Sequence, residues 1–265
     1  MLDYIDAITS DDWMIKVLVC PVCQRPIKNH KSKQVLLCQN CGGSPVTWEY
    51  LIDDGIATFN RPPLNKREYA FEMNRYKGIA IAPPHTYDGF NESMPNTRNR
   101  LLKPLLEHHG TYLNIGQGFG LLEETMPHIP KMCLDQCLEF LRYCKNKDIP
   151  NTRYVMGFGE QMPFKDSYFP AVVSDSVFQT LVDQREFLVE CARVLKPKGA
   201  FVLTITYKWN YPRKPQAFPA DDPVLLTRFL DELGITTKTM YIHLKTEKAV
   251  WREDGDFMLV AGHKR

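Results

Sequence analysis

Three glycines at alternate positions follow a short apolar run near the middle of the chain. Gly116, Gly118 and Gly120 come directly after residues 112–115, and two leucines open the next segment. A strand, a tight turn and a helix start in this order form the layout in which a parallel α/β sheet binds a nucleotide-like ligand. Glycine suits such a turn because a side chain would hold the ligand away from the backbone amides. A glycine-rich surface turn has the same spacing, so the loop alone leaves both interpretations open.

An acid follows at the end of the next strand-like run. Asp135 closes residues 131–135, nineteen residues after Gly116. A carboxylate in that place can accept two hydrogen bonds from a ribose diol. An NAD-binding Rossmann domain has the same loop and the same acid, so these features indicate a nucleotide site without naming the nucleotide.

Eight cysteines are present, and four of them form two Cys-x-x-Cys pairs, Cys20 with Cys23 and Cys38 with Cys41. Four thiolates in two such pairs predict a closed tetrahedral zinc site, which is structural because no position is open to water. The alternative, a redox Cys-x-x-Cys, requires only one pair in a thioredoxin-like unit. Because a unit this short buries little apolar surface, loss of one thiolate is expected to release the metal and unfold residues 13–59. The larger domain is expected to keep its fold.

Length and composition limit the class of protein. A chain of 265 residues can hold one large and one small domain, and 44% hydrophobic with 24% charged residues is typical of a soluble globular protein. A net charge of +2 argues against electrostatic binding of nucleic acid by the whole molecule. No apolar run reaches membrane-spanning length, the acidic start is unlike a secretory signal, and the cysteine spacing is unlike a disulfide framework. We therefore expect a cytoplasmic protein without a membrane partner.

Strand-like and helix-like segments alternate from residue 112 onward, which predicts a parallel sheet covered on both faces. Residues 97–108 predict a preceding helix with leucines facing inward, although Pro104 interrupts it. Two alternating segments at 236–245 and 256–263 follow the last helix, and the dipeptide Asp254-Gly255 before the second is a hairpin signal.

The first sixty residues resemble a known zinc-ribbon family. Its members include the small activator subunit shared by several RNA and protein methyltransferases, and the similarity covers residues 13–59. Ala57 replaces the usual proline of this pattern. Between the cysteine pairs the charged residues are all basic: Arg25, Lys28, His30, Lys31 and Lys33. They form either a phosphate-contacting fingertip or a solvated hairpin tip.

Further motifs follow the glycine loop at regular intervals, at residues 160–164, 166, 169–176 and 193–199. With the loop, they resemble small UbiE-like class I S-adenosylmethionine-dependent methyltransferases over about residues 85–265. The resemblance implies an α/β fold with a seven-stranded Rossmann-like methyltransferase sheet, mostly parallel with an antiparallel last strand. Together with the zinc ribbon it predicts three regions: a zinc-ribbon domain at 1–60, a linker and cofactor cap at 61–96, and the methyltransferase domain at 97–265.

The resemblance also implies cofactor contacts for S-adenosylmethionine. At the amino-acid end they are Ser174 and Asp175, with Gly116, Gly118 and Gly120 around the methionine. At the ribose they are Asp135 and Gln136, and at the adenine they are Gly159 and Glu160. Three positions depart from the pattern. Asn114 stands where an acid is usual and removes a negative charge near the cationic cofactor. Gln117 replaces a small residue, and Phe158 replaces an aspartate that meets the adenine amine, a hydrogen bond for which ring stacking would substitute.

Catalytic and acceptor residues are less marked in the sequence. Relatives carry a His-His pair where this chain has Gln179-Thr180, so no general base is obvious. The candidates are His85, Tyr87 and His243, each of which also fits a structural role. For the acceptor we predict contacts from Tyr207, Trp209 and Arg213, because segment 207–215 leaves the fifth strand at the edge where substrates enter this fold. A proline-stiffened connection is the other interpretation of that segment.

These observations favour a methyltransferase that acts on a small molecule. Two alternatives stay open. One is a zinc-ribbon RNA base methyltransferase, because rRNA guanine methyltransferases also place a zinc ribbon ahead of this fold. The other is a cofactor-binding pseudoenzyme or scaffold, suggested by the departures at Asn114 and Phe158.

Overall fold

The fold is taken from a computed structural model of the chain. The residues that it describes are 13–30, 33–41, 48–60, 77, 93–206, 222–243, 248–250 and 257–265.

The described strands are β1 (Lys28–His30), β2 (Val35–Cys38), β3 (Trp48–Asp53), β4 (Ile56–Thr58), β5 (Tyr112–Ile115), β6 (Lys131–Asp135), β7 (Thr152–Met156), β8 (Phe169–Asp175), β9 (Leu195–Ile205), β10 (Ile235–His243), β11 (Lys248–Val250) and β12 (Phe257–Lys264). The α-helices with described bounds are α1 (Trp13–Val17), α2 (Ser93–Leu106), α3 (Leu121–Thr125), α4 (Leu138–Asn146), α5 (Gln184–Val194) and α6 (Pro223–Glu232). Helices separate β5 from β6, β6 from β7 and β8 from β9, as the sequence predicted, whereas β7 leads to β8 without a helix.

All of these strands belong to one mixed sheet in the order β1-β2-β3-β4-β7-β6-β5-β8-β9-β12-β10-β11. The pairs from β4 to β9 are parallel, whereas β12 runs antiparallel to both of its neighbours, β9 and β10. The α/β fold with a mixed sheet is therefore confirmed. The described residues contribute twelve strands to this sheet, including the ribbon strands β1 to β4, and the predicted count of seven strands for the methyltransferase sheet is not confirmed. Ribbon strands extend one edge, and the short β11 extends the other.

A two-residue turn aligns the ribbon with the rest of the sheet. Asp54 and Gly55 join β3 to β4 with φ angles of 49° and 72°, the left-handed pair that a type I′ hairpin requires. The hairpin places β4 between β3 and β7, where Ala57 pairs with Val155 and is fully buried. A proline at a position inside a sheet would lack the backbone N–H that such a ladder uses. Alanine at 57 therefore suits a strand with a neighbour on each side.

One hydrophobic cluster spans the ribbon and the larger sheet. Val17, Leu18 and Phe59 belong to the same buried cluster as Met162 and Phe164. The ribbon thus shares its core with the rest of the protein. A functional boundary at residue 60 stays a prediction.

The predicted helix ahead of the sheet is confirmed as α2, which continues through Pro104 and ends at Leu106. Leu102 and Leu106 are fully buried against the sheet. The side-chain amide of Asn99 donates to the backbone oxygen of Leu121 at 2.9 Å. This bond fixes α2 to the first residue of α3, directly after the glycine loop.

Among the described residues, no helix combines the length and the apolar character needed to cross a bilayer.

Candidate cofactor and metal sites

The glycine loop joins β5 to α3 with a backbone that favours glycine. Gly116, Gly118 and Gly120 have φ angles of 74°, 52° and 74°. A Cβ built on Gly116 would lie 2.4 Å from the side chain of Val177, and one on Gly120 would lie 2.9 Å from the sulfur of Cys144. By contrast, no described atom lies within 4 Å of a Cβ built on Gly118. Among the residues that the structure describes, the loop is closely packed at both ends and open at its centre, an arrangement that suits a ligand.

Gly116→Ala is expected to destabilise the protein more than Gly118→Ala does. Both substitutions strain a left-handed backbone, at about 1–2 kcal/mol. Only the first also drives a methyl group into Val177, whose branched side chain is stiff. Urea denaturation measures both free energies of unfolding, and Gly118→Ala serves as the matched control. Equal values for the two variants would contradict the close packing at Gly116.

Asp135 connects the ends of two neighbouring strands. Its Oδ1 accepts a hydrogen bond from the backbone N–H of Cys137 at 2.8 Å, and its Oδ2 accepts one from Gly118 at 3.3 Å. Burial raises the pKa of this carboxyl to about 6, although the backbone N–H groups counteract the shift. Each carboxylate oxygen can accept a second bond. Asp135, the residue predicted to bind the ribose, is therefore held against the glycine loop and can accept further hydrogen bonds. The half-buried Gln136 follows it in the chain.

The residues predicted at the adenine follow β7. The carboxylate of Glu160 accepts hydrogen bonds from the backbone N–H groups of Val182 and Asp183, at 3.1 and 3.4 Å, and burial raises its pKa. A Cβ on Gly159 would lie 2.9 Å from the ring of Phe187. Phe158 is only 1% exposed, so its stacking on adenine stays a prediction that requires the ring to leave its buried position.

An ion-paired clamp, which the sequence analysis did not assign, holds the segment after Glu160. The Arg193 guanidinium binds the Glu190 carboxylate at 2.5 Å and donates to the backbone oxygens of Met162 and Phe164 at 3.0 and 2.6 Å. Glu190 in turn accepts from the backbone N–H of Met162 at 2.6 Å. Arg193 is the first residue of the motif at 193–199, so the sequence offered a signal for its importance. Glu190 lies one helical turn earlier, outside every motif, and the sequence offered no such signal for it.

The Asn114 side chain contacts an acid on a neighbouring helix. The Asn114 side-chain amide donates to the carboxyl of Glu123 at 2.6 Å, and Glu123 is fully buried on α3. Burial raises the pKa of Glu123. The nearby Lys131 is also fully buried, and its ammonium donates to three backbone oxygens. An acidic group thus lies beside position 114, although the burial that raises its pKa favours its neutral form, and the loss of a negative charge near the cofactor stays a prediction.

Strand β8 contributes the residues predicted at the amino-acid end of the cofactor. The Ser174 hydroxyl donates to the backbone oxygen of Ile115 at 3.1 Å, immediately before the glycine loop. Asp175 accepts a hydrogen bond from the Thr204 hydroxyl on β9. The structure therefore brings the predicted cofactor residues together at the carboxyl ends of four adjacent strands, β7, β6, β5 and β8.

The predicted catalytic and acceptor residues are not assembled in the described residues. His243 ends β10, four strands from β5 in the sheet order, or roughly 19 Å at the usual strand spacing. The other candidates lie outside the described residues: His85, Tyr87, Tyr207, Trp209 and Arg213.

Four sulfur atoms meet in the ribbon. Those of Cys20 and Cys41 are 3.6 Å apart, as are those of Cys23 and Cys38, and all four lie within 4.8 Å of one another. Tetrahedral zinc with bonds near 2.3 Å separates its sulfur ligands by about 3.8 Å, so the residues present fit this metal. Burial and the neighbouring thiols raise the pKa of Cys38. A bound cation would offset that cost.

Comparison with known proteins places part of the chain. Residues 113–203 match a family model described as a methyltransferase domain. This segment resembles a methyltransferase domain. It includes the glycine loop, Asp135, Glu160 and Ser174.

A curated relative of the methyltransferase domain is a demethylmenaquinone methyltransferase of Thermotoga maritima, 31% identical over 111 residues. The match covers 40% of this chain and 48% of the relative, so the chain spans about half the length of that protein.

Solved structures share the fold at low identity. The complex of a Haloferax volcanii methyltransferase activator with a methyltransferase matches at a TM-score of 0.53 and 17% identity, covering 71% of this chain and 97% of the other. An S-adenosylmethionine-dependent methyltransferase of Aquifex aeolicus matches at 0.52 and 16%, covering 72% and 98%. These likenesses concern the fold alone.

Proposed function

We propose that the chain transfers the methyl group of S-adenosylmethionine to a small-molecule acceptor. The observation that carries the proposal is the contact between Asp135 and Gly118 inside a methyltransferase domain. It joins the acid suited to a ribose diol to the loop suited to the rest of the cofactor. Ser174, on the next strand but one from Asp135, extends the same row of polar groups.

The cofactor supplies an activated methyl group on a sulfonium, so the protein's main task is to position the reactants. The open centre of the loop at Gly118 would receive the methionine part, and Asp135 would accept the ribose hydroxyls. The clamp of Arg193 and Glu190 would hold the segment that passes the adenine. Placing an acceptor in line with the methyl supplies most of the rate in such a transfer. A base is needed only where the acceptor must lose a proton.

A small molecule is the acceptor class that the comparisons favour. The name of the Thermotoga maritima relative gives its substrate as demethylmenaquinone, a small molecule. The net charge of +2 gives the whole molecule little attraction for a polyanion. Segment 207–215, with Tyr207, Trp209 and Arg213, remains the proposed acceptor contact.

Calorimetry on the zinc-loaded protein tests the cofactor. We expect saturable binding of S-adenosylhomocysteine, the demethylated product, and no binding of NAD at the same concentration. Binding of NAD without S-adenosylhomocysteine would show that the glycine loop serves a dehydrogenase-type cofactor instead.

A salt series tests the acceptor class. Because each neutralised phosphate steepens the salt dependence of binding, an RNA methyltransferase would bind bulk RNA at 50 mM salt and release it by 200 mM. We expect no RNA binding at either concentration. Steeply salt-dependent binding would favour the zinc-ribbon RNA alternative, in which the basic residues between the cysteine pairs contact phosphates.

A further inference from the structure

The ribbon contacts the larger sheet at an element that leads into the adenine side of the cofactor site. Strand β4 pairs in parallel with β7, and the backbone N–H of Phe59 donates to the oxygen of Met156 at 2.8 Å. Residues 157–160 follow immediately. The ribbon is thus hydrogen-bonded to the outer side of β7 at its end. The predicted adenine contacts Gly159 and Glu160 follow this end of the strand in the chain.

A second contact lies on the segment just beyond those residues. The backbone N–H of Val19 donates to Pro163 at 2.9 Å, and Lys165 donates to the oxygen of Val17 at 3.0 Å. This segment is also held from the other side by the clamp of Arg193. Val19 directly precedes Cys20, whose own N–H donates to the oxygen of Arg25 at 2.9 Å. The residue that contacts Pro163 and the first predicted zinc ligand are therefore adjacent in the chain.

A third contact reaches the helix that starts behind the ribose acid. On α4, Arg142 forms an ion pair with Asp53 at 2.5 Å, and Lys145 forms one with Asp54 at 2.9 Å. Asp53 ends β3, and Asp54 begins the turn that joins β3 to β4 in the ribbon. Helix α4 begins three residues after Asp135, and Cys137 at its start is bonded to the Asp135 carboxylate.

These contacts converge on one half of the cofactor site. They hold the end of β7, residues 163–165 and α4, which flank the predicted adenine and ribose residues. The methionine half is built by β5, the glycine loop and β8. The ribbon therefore supports the adenosine side of the cleft, and its own backbone geometry depends on the four cysteines because a unit of this size folds around its metal.

We propose that the ribbon positions the adenosine half of the cofactor site, so that zinc at the four cysteines and cofactor in the cleft stabilise each other. The coupling presupposes the proposed function, because it concerns the same cleft. Since coupling between two binding sites is reciprocal, the factor by which zinc raises cofactor affinity equals the factor by which cofactor raises zinc affinity. Zinc loss would then weaken cofactor binding without any change in the residues that touch the cofactor.

Zinc transfer from the intact protein to a chromogenic chelator tests this coupling. Saturating S-adenosylhomocysteine is expected to slow the transfer at least fivefold. Methylthioadenosine, which carries the adenosine without the amino acid, is expected to give most of that protection. An unchanged transfer rate at a ligand concentration that calorimetry shows to be saturating would overturn the coupling. Bound methylthioadenosine without protection would overturn its assignment to the adenosine half.

A variant separates this coupling from general stabilisation of the fold. Replacing both Arg142 and Lys145 by Ala removes the third contact and leaves the cysteines intact. We expect a twofold to fivefold loss of S-adenosylhomocysteine affinity and a matching loss of protection against the chelator. Arg265→Ala is the control, since it removes an exposed ion pair with Asp231 at 2.9 Å, formed with α6. Equal affinities for the double variant and the control would contradict the inference.

The outcomes also distinguish this inference from the proposed function. If the zinc-loaded protein fails to bind S-adenosylhomocysteine at all, the proposed function is wrong. If it binds this ligand equally well with and without zinc, the proposed function stands and the coupling is wrong.

Discussion

Cys38→Ser is expected to lower the unfolding temperature of the whole protein by about 10 °C or more. Losing a buried metal ligand is among the few changes that cost on the order of 4–5 kcal/mol, and each kcal/mol shifts Tm by about 2–4 °C at this size. The sequence alone predicted that only residues 13–59 would unfold. The structure predicts a wider loss of stability, because Val17, Leu18 and Phe59 share one buried cluster with Met162 and Phe164.

Calorimetry and metal analysis check this result. Cys137→Ser is a matched control: it makes the same chemical change at the N-cap of α4, where Cys137 makes no side-chain capping bond and serine is a favoured residue. The control is expected to keep about one zinc per chain and a Tm near that of the unchanged protein. A separate low-temperature transition for the ribbon, with the main transition unmoved, would contradict the shared core. Freshly purified protein without zinc would contradict the metal site itself.

Asp135→Ala is expected to lower the affinity for S-adenosylhomocysteine at least tenfold. The side chain is placed to accept two charge-assisted hydrogen bonds from the ribose, each worth roughly 1.5–3 kcal/mol. Part of the loss would come from the freed backbone N–H groups of Gly118 and Cys137, which Asp135 now satisfies. Calorimetry of the variant beside the unchanged protein measures the effect. Affinity within a factor of two would remove Asp135 from the cofactor site.

The pH dependence of binding provides an independent test of the same carboxyl. Because burial raises the pKa of Asp135 from 3.8 to about 6, the free protein carries below that value a protonated carboxyl, which is a weaker acceptor than the carboxylate. Ribose hydroxyls favour the ionised form, so affinity should be level above pH 7 and fall by up to tenfold per pH unit below 6. Asp135→Asn should bind weakly with no such step. A step that persists in this variant would assign the titration to another group.

The stability of the free protein should respond to this carboxyl with the opposite sign. A folded-state pKa above the ordinary 3.8 means that the folded protein binds the proton more tightly than the unfolded chain does. The contribution of Asp135 to stability is therefore greatest at low pH and is lost as the pH rises from 3.8 to about 6. Cofactor binding, which favours the ionised form, offsets this loss.

Local signals in the sequence determined the glycine turn and the cluster of four cysteines. Gly116, Gly118 and Gly120 are needed for backbone angles that few other residues adopt, so their spacing alone predicted the turn. The spacing of the cysteine pairs was likewise sufficient to predict that they meet, because a four-thiolate site restricts which residue types and spacings are possible. The place of Asp135 at the end of a strand was predictable because a strand end is a position that can be counted along the chain.

The tertiary structure alone decided how the ribbon and the sheet combine. Strand β4 has three residues, all buried, so it has no polar alternation to identify it, and its parallel partner β7 lies about a hundred residues away. Glu123 is similar: as an acid near the start of a helix it looks solvent-exposed in the sequence, yet the fold buries it against Asn114. Such pairings depend on which distant surfaces meet, and the free energy that selects them comes from contacts that no short stretch of sequence contains.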